Sequence, residues 1–254
     1  MNVIVCVKQI PDPALPGELD SDNTLKRDGK LILDESDSYG VEMALQLVDN
    51  AGGGEVTLVS MAPTAETSGL RTALAMGAAK AVLVSDPALA GADALTTAKV
   101  LAGAVGKAGE YDLVIAGTES SDGYTGTVPE QIAEVLGVPS VTFAKSIAVD
   151  GGSLNVERQT EAGYDEVTCP TPALVSVTAG VVEPRYPSFK GIMAAKSKPV
   201  DTVTAADLVV DSVSWAQSIT AVDDAPPREA GEIVEDEGEA YEKIVAFLDE
   251  LKVI

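Results

Sequence analysis

Short β-branched apolar runs take turns with segments whose apolar residues recur at helical spacing, and this alternation leaves few folds open. Residues 3–7, 56–60, 81–84 and 113–116 read as strands buried on both faces. Between them, residues 36–48 carry Val41, Ala44, Leu45 and Val48 on one helical face, and 93–105 carry Leu95, Ala98, Leu101 and Val105. Residues 64–76 and 128–136 read as two further helices, and Gly52-Gly53-Gly54 ends the first one. Strands that alternate with helices predict a parallel sheet covered on both faces, a Rossmann-like α/β domain. Right-handed crossovers gather the loops after the strands on one edge, where ligands bind in such sheets.

The pattern changes after Gly137. Residues 140–149 and 154–160 read as a hairpin closed by Asp150-Gly151-Gly152-Ser153, and 173–178 as one more strand, an antiparallel extension of the sheet. Beyond Pro199 the chain turns polar and acidic, with a break at Pro226-Pro227. We divide it into a nucleotide-binding domain over 1–199 and a C-terminal arm and helix over 200–254. A final helix over 239–251 carries Tyr241, Ile244, Val245, Leu248 and Leu251 on one side. Closing this chain's own core and packing on another protein both suit it.

Composition narrows the chemistry. The 254 residues include no histidine, so the commonest general base and metal ligand is missing, and Ser-His or Cys-His catalysis is excluded. Cys6 and Cys169 alone cannot fill a zinc site or make a disulfide framework. The 17 Lys and Arg against 40 Asp and Glu give a net charge of −23, which repels nucleic acid and anionic lipid. No run of about 18 apolar residues suggests a membrane span, and the chain opens directly on strand sequence rather than on a signal peptide. A cytoplasmic location is the expectation.

The loop Gly117-Thr118-Glu119-Ser120-Ser121-Asp122-Gly123-Tyr124-Thr125-Gly126-Thr127 follows a strand and opens a helix. Its hydroxyls are donors, Gly123 and Gly126 let backbone N–H groups approach an anion, and a helix N-terminus adds partial positive charge. Thr127 and Glu130 have capping-box spacing. Without a lysine or Walker pattern, the loop suits holding a nucleotide better than hydrolysing it; an ordinary capped strand-to-helix loop is the equal alternative. Cys6 and Met61 sit at strand ends on the same edge, where an adenine slot would form. Asp34 and Asp37 suit either a base or ribose contact or, more simply, capping of the helix that follows. The stretch from Glu183 to Lys196 sets Tyr186, Phe189, Ile192 and Met193 between prolines and a glycine, as an exposed contact surface or as a connection whose Phe189 turns inward.

Four segments in order resemble the beta subunit of electron-transfer flavoproteins, including the nitrogen-fixation-associated branch. They are Val3-Ile4-Val5-Cys6-Val7-Lys8; Arg71-Thr72-Ala73-Leu74-Ala75-Met76-Gly77-Ala78; Val156-Glu157-Arg158 with Pro172-Ala173-Leu174-Val175-Ser176-Val177; and Glu183-Pro184-Arg185-Tyr186 with Ile192-Met193-Ala194-Ala195-Lys196. The resemblance implies an electron carrier rather than an enzyme. It implies a heterodimer with an alpha subunit that holds most of one FAD, and an AMP buried in this chain. It further implies electrons arriving from flavin dehydrogenases, such as acyl-CoA dehydrogenases of fatty acid oxidation, and leaving to a membrane quinone oxidoreductase or another acceptor. Glu183, Tyr186, Phe189, Ile192 and Met193 then fall on the loop that docks dehydrogenases, with Phe189 where the family commonly has Leu. Asp165 falls where an acidic residue, commonly Glu, pairs with the flavin domain. The 117–127 loop departs from the Gln-bearing version of many members, and some members carry a second FAD in place of AMP.

Two rival classes remain at this point. A universal-stress-type nucleotide module carries Gly-x2-Gly-x9-Gly followed by Ser or Thr; here ten residues separate Gly126 from Gly137, and Val138 follows. A phosphoryl-transfer enzyme needs a P-loop lysine or metal-ligand cluster, and the sequence has neither signal.

Overall fold

A strand buried on both faces needs apolar side chains both up and down, and β1 (Asn2–Cys6) has them: Val3 and Val5 pack in one core, Ile4 and Cys6 in another. The computed structural model describes residues 1–208, 217–228, 230, 231, 233–236 and 238–254. Part of the expected arm, at 209–216, 229, 232 and 237, lies outside the described residues.

Two short strands, β2 (Gln9–Pro11) and β3 (Leu31–Leu33), pair antiparallel after β1. Then come α1 (Glu35–Asn50), β4 (Glu55–Ala62), α2 (Ser68–Met76), β5 (Lys80–Ser85), α3 (Ala94–Ala108), β6 (Leu113–Gly117) and α4 (Val128–Leu136). The chain continues through β7 (Ser140–Asp150), β8 (Ser153–Thr160), β9 (Gly163–Pro170), β10 (Ala173–Val177), α5 (Phe189–Ala195) and β11 (Val200–Val203). Among the described residues, nine strands form one sheet in the order β11-β5-β4-β1-β6-β10-β7-β8-β9. Neighbours are parallel from β11 to β7 and antiparallel from β7 to β9.

The expected α/β fold with an antiparallel extension is therefore present. Strand order runs from β1 outward through β4 to β5, then restarts on the other side of β1 with β6. The carboxyl ends of β1 and β6 thus form the switch point where such sheets open a crevice. One core lies under α1 and α2 and the other under α3 and α4, with Leu58, Leu74, Ile115 and Val114 fully buried. Each such aliphatic side chain contributes about 1.5–3 kcal/mol on burial.

Three elements depart from expectation. Strand β9 extends the hairpin to a three-stranded meander. Residues 189–195, expected as loop, form α5. Residues 200–203 join the main sheet beside β5, so the first compact unit reaches Thr220 and the break drawn at residue 199 falls inside it. The second unit, Ala221–Ile254, contains α6 (Ala240–Glu250), on which Tyr241, Ile244, Val245 and Phe247 are exposed. Among the described residues, no helix is long and apolar enough to cross a membrane.

Candidate functional site

The end of β1 carries Lys8, and α1 begins on the adjoining side with Asp34 as its N-cap. Asp34 is fully buried, and each of its oxygens has a task. Oδ1 accepts from the Ser36 N–H at 3.1 Å and Oγ at 2.9 Å; Oδ2 accepts from the Ser121 N–H at 2.8 Å. One carboxylate thus caps α1 and fastens the 118–127 loop to it. Asp37, three residues on, accepts the Lys8 N–H at 2.6 Å. Burial pushes the Asp37 carboxyl up to about 8, with the Lys8 N–H pulling the other way and the charge of Asp34 adding to the rise. Asp34 is the cap of α1; Asp37 caps nothing and instead ties the end of β1 to the first turn of that helix.

Asp122 is the centre of the loop's charge network. Its side chain is 8% exposed, Lys8 Nζ donates to its Oδ1 at 2.6 Å, and Arg27 Nη2 donates to its Oδ2. Burial pushes this carboxyl up, but the charges and hydrogen bonds of Lys8 and Arg27 outweigh it and leave it below its ordinary value. Lys8 Nζ also reaches Ser120 Oγ at 3.1 Å. A Cβ on Gly123 would lie 3.0 Å from that Oγ and 3.7 Å from Lys8 Nζ, so a larger residue there would have to push the Ser120 hydroxyl aside.

The expected capping box does not form. Thr127 precedes α4 but makes no cap bond, and its Oγ1 accepts from Gln131 Nε2 at 3.2 Å instead. Among the described residues, no acceptor meets the N–H groups of Thr125, Gly126 and Thr127. Glu130 Oε2 and Gln131 Oε1, in the first turn of α4, are buried acceptors without a partner. Gly126 takes φ +68°, a conformation that favours glycine. Tyr124 is 69% exposed on the rim. This donor set suits one phosphate received by backbone N–H groups and a helix N-terminus, since both nearby cations already face Asp122. Cys6 and Met61 line the α4 side of the same edge. Burial, helped by the charge of Asp37, pushes the Cys6 thiol up to about 12, so it stays protonated.

The second candidate surface is α5 with the segment before it. Ser188 caps the helix through its Oγ, which accepts the Gly191 N–H at 3.0 Å. Gly191 lies so close to α2 that a Cβ there would be 2.4 Å from the Ala75 carbonyl oxygen. Arg71 of α2 donates to the carbonyls of Ala195 and Lys198, both at 2.7 Å. In return, Lys198 donates to Leu74 O at 2.9 Å and Ala78 O at 2.6 Å. Arg71 of α2 thus caps the carboxyl end of α5, and Lys198, just beyond α5, caps that of α2. Ahead of α5, Arg185 forks onto Glu42 of α1, Nε to Oε2 at 2.6 Å and Nη2 to Oε1 at 3.1 Å. Burial pushes the Glu42 carboxyl up, and the hydrogen bonds from Arg185 and Gln46 more than reverse this.

On that mount Tyr186 is 93% and Phe189 81% exposed, with Ile192 and Met193 about half exposed beside them. The inward reading of Phe189 is therefore excluded. Glu183 is exposed at the start of the segment. Asp165 stands apart, on the edge strand β9, 3.6 Å from Arg158. Residue spacing indicated none of the roles of Lys8, Arg27, Glu42, Arg71, Arg185 and Lys198. Their scarcity was the available signal: a chain with so few cations has few to leave idle.

The comparisons with known proteins fit this arrangement. A family model described as the electron transfer flavoprotein domain matches residues 22–208. The electron transfer flavoprotein subunit beta of Mycobacterium tuberculosis is 40% identical over 264 residues, covering 100% of this chain and 99% of the relative. That of Thermoanaerobacterium thermosaccharolyticum is 42% identical over 216 residues, 83% of this chain and 81% of the relative. The caffeyl-CoA reductase-Etf complex subunit CarD of Acetobacterium woodii is 37% identical over 201 residues, 79% and 77% of the two chains. The chain belongs to the electron-transfer flavoprotein beta-subunit family. Its two candidate surfaces are the charged loop cluster at the sheet's carboxyl edge and the exposed apolar face of α5.

Proposed function

We propose that this chain works as the beta subunit of a heterodimeric electron carrier, holding an AMP at the β1/β6 crevice and sharing one FAD with an alpha subunit. The exposed, firmly mounted apolar surface of α5 carries this reading. A dehydrogenase that must hand electrons over quickly and leave needs a rigid, small anchor, and Phe189 provides one. Tyr186, Ile192, Met193 and Glu183 surround it. The relative named as part of a caffeyl-CoA reductase complex supports docking of this kind.

FAD, when bound, supplies the redox chemistry, and the protein supplies orientation and electrostatics. The N–H groups of Thr125, Gly126 and Thr127 receive the AMP phosphate, Cys6 and Met61 border the adenine, and the buried acceptors of the α4 first turn suit hydroxyl or amino donors. Ser120, Ser121, Asp122, Gly123 and Tyr124 shape the loop, with Asp34 fixing it from α1 and Asp37 fixing the end of β1 beside it. Asp165 steers the flavin domain, and the exposed face of α6 packs on the alpha subunit as the end of the C-terminal arm. Donors are flavin dehydrogenases and the acceptor is a quinone oxidoreductase, all meeting in the cytoplasm or at its membrane face.

Co-expression with an alpha subunit tests the core of this. The expected product is a yellow heterodimer whose extracted nucleotides are FAD and AMP in equal amounts. A second FAD in place of AMP points to a carrier that divides electrons between two acceptors. A colourless homomer that turns over ATP ends the proposal.

A further inference from the structure

We infer that residues 12–30 form a lid over the mouth of the nucleotide crevice, and that Arg27 is a positioning residue that latches it. The segment leaves on β2 and returns on β3, so its two ends are pinned together. It is internally braced by the Leu19–Leu25 bridge and by the Asp20 N–H donating to Thr24 O at 2.8 Å. Between its ends it meets loops from both sides of the crevice. At Gly91, which follows β5, a Cβ would come within 3.1 Å of Thr24 Cγ2. On the other side, Arg27 donates to Gln9 O at 3.1 Å and to Asp122 in the loop after β6. In the sheet, β5 and β6 flank β4 and β1. A path from Gly91 to Asp122 therefore crosses the ends of β4 and β1, where Met61 and Cys6 border the slot.

The latch is selective about what it holds. Asp122 is filled on both oxygens, by Lys8 from the end of β1 and by Arg27 from the lid. Lys8 continues a core strand and stays with the sheet, whereas Arg27 belongs to a segment whose residues 13–22 are exposed. Removing Arg27 leaves Asp122 paired with Lys8, so no buried charge is orphaned; among the described residues, the lid keeps only its contact at Gly91 and the Asn23 Nδ2 donation to Ile219 O at 3.4 Å. Among the described ties that hold the lid, the Arg27 fork is the one charge-assisted bond to the crevice loop, and the exchange rate of the bound nucleotide is set chiefly there.

This inference rests on the reading of the crevice as an adenine-nucleotide site, and its test separates the two. The heterodimer is loaded with isotope-labelled AMP and chased with unlabelled AMP. Arg27→Gln is expected to release the label at least about tenfold faster, from the loss of a hydrogen bond to a charged group. Arg27→Lys keeps the charge but cannot span Gln9 and Asp122 together, and falls between. Release from Arg27→Gln at the unaltered rate overturns the lid. Should the unaltered heterodimer carry no AMP, hydrogen exchange at residues 12–30 decides instead. Faster exchange there in Arg27→Gln, with β1 and β6 still protected, upholds the latch while the site reading fails. Unchanged protection overturns the latch as well.

Discussion

The crevice edge and the α5 face use the same scarce cations in opposite ways. At the crevice, Lys8 and Arg27 meet a buried carboxylate between them, and the surface left for a ligand is backbone N–H. At α5, Arg71, Lys198 and Arg185 hold helix carbonyls and Glu42 from beneath, and the surface left for a partner is apolar. In a chain of net charge −23, positive charge is building material in both places. A surface that is to receive a partner has to be apolar and stiff at once, and stiffness at α5 comes from ionic and hydrogen-bonded ties separate from its apolar side chains.

That contrast can be broken at the crevice first. Asp37 keeps its proton up to about pH 8 in the folded chain but loses it near 3.8 when unfolded. Between these values the unfolded state binds fewer protons, so this group's stabilisation is full below pH 3.8 and is lost as pH rises through 8. Asp37→Asn removes that dependence. Urea unfolding at pH 5 and pH 7 should show the unaltered protein losing up to about 3 kcal/mol relative to the variant. Equal slopes would mean Asp37 is ionised in its niche, and the crevice more open than its burial indicates.

At α5 the expected effects concern binding. Phe189→Ala should slow electron uptake from the donor dehydrogenase about thirtyfold, equivalent to about 2 kcal/mol at a hot spot, with flavin and nucleotide content unchanged. Transfer at the normal rate removes Phe189 as the anchor. Glu42→Gln frees Arg185 and should lower stability by about 1.5 kcal/mol while raising the dehydrogenase concentration needed for half-maximal transfer. A stability loss with normal docking would show that Arg185 is a brace for the core alone. Ser188→Ala, which removes the α5 cap, should cost about 1 kcal/mol, seen as faster hydrogen exchange confined to residues 189–195.

The parallel sheet was legible because its signals are local: a β-branched run or a helical face declares itself within a dozen residues. The switch point followed from the order of those elements. Helix α5 was not legible. It is seven residues long with one buried residue, Ala195, so no periodicity exists to read, and its helicity comes from Ser188 and from Arg71 far away in sequence. Strand β9 is largely exposed and pairs along one side only, so it carries no hydrophobic alternation. At the site, residue types in the 117–127 loop suggested a phosphate cradle, but the ties that shape it join Lys8 and Arg27 to Asp122 across 114 and 95 residues. The capping-box spacing misled because Gln131, not the backbone, claimed the Thr127 hydroxyl.

Helix α1 is a ruler as well as a wall. Its N-cap, Asp34, grips the crevice loop, and Glu42 grips the segment leading into α5; eight residues of α-helix hold those two grips about 12 Å apart. A carrier of the proposed kind, meeting its donors at one face, would gain from that fixed span. On the proposed function, a donor seated on α5 would find the 118–127 loop at one fixed offset, so a single geometry would serve each hand-over without being re-set.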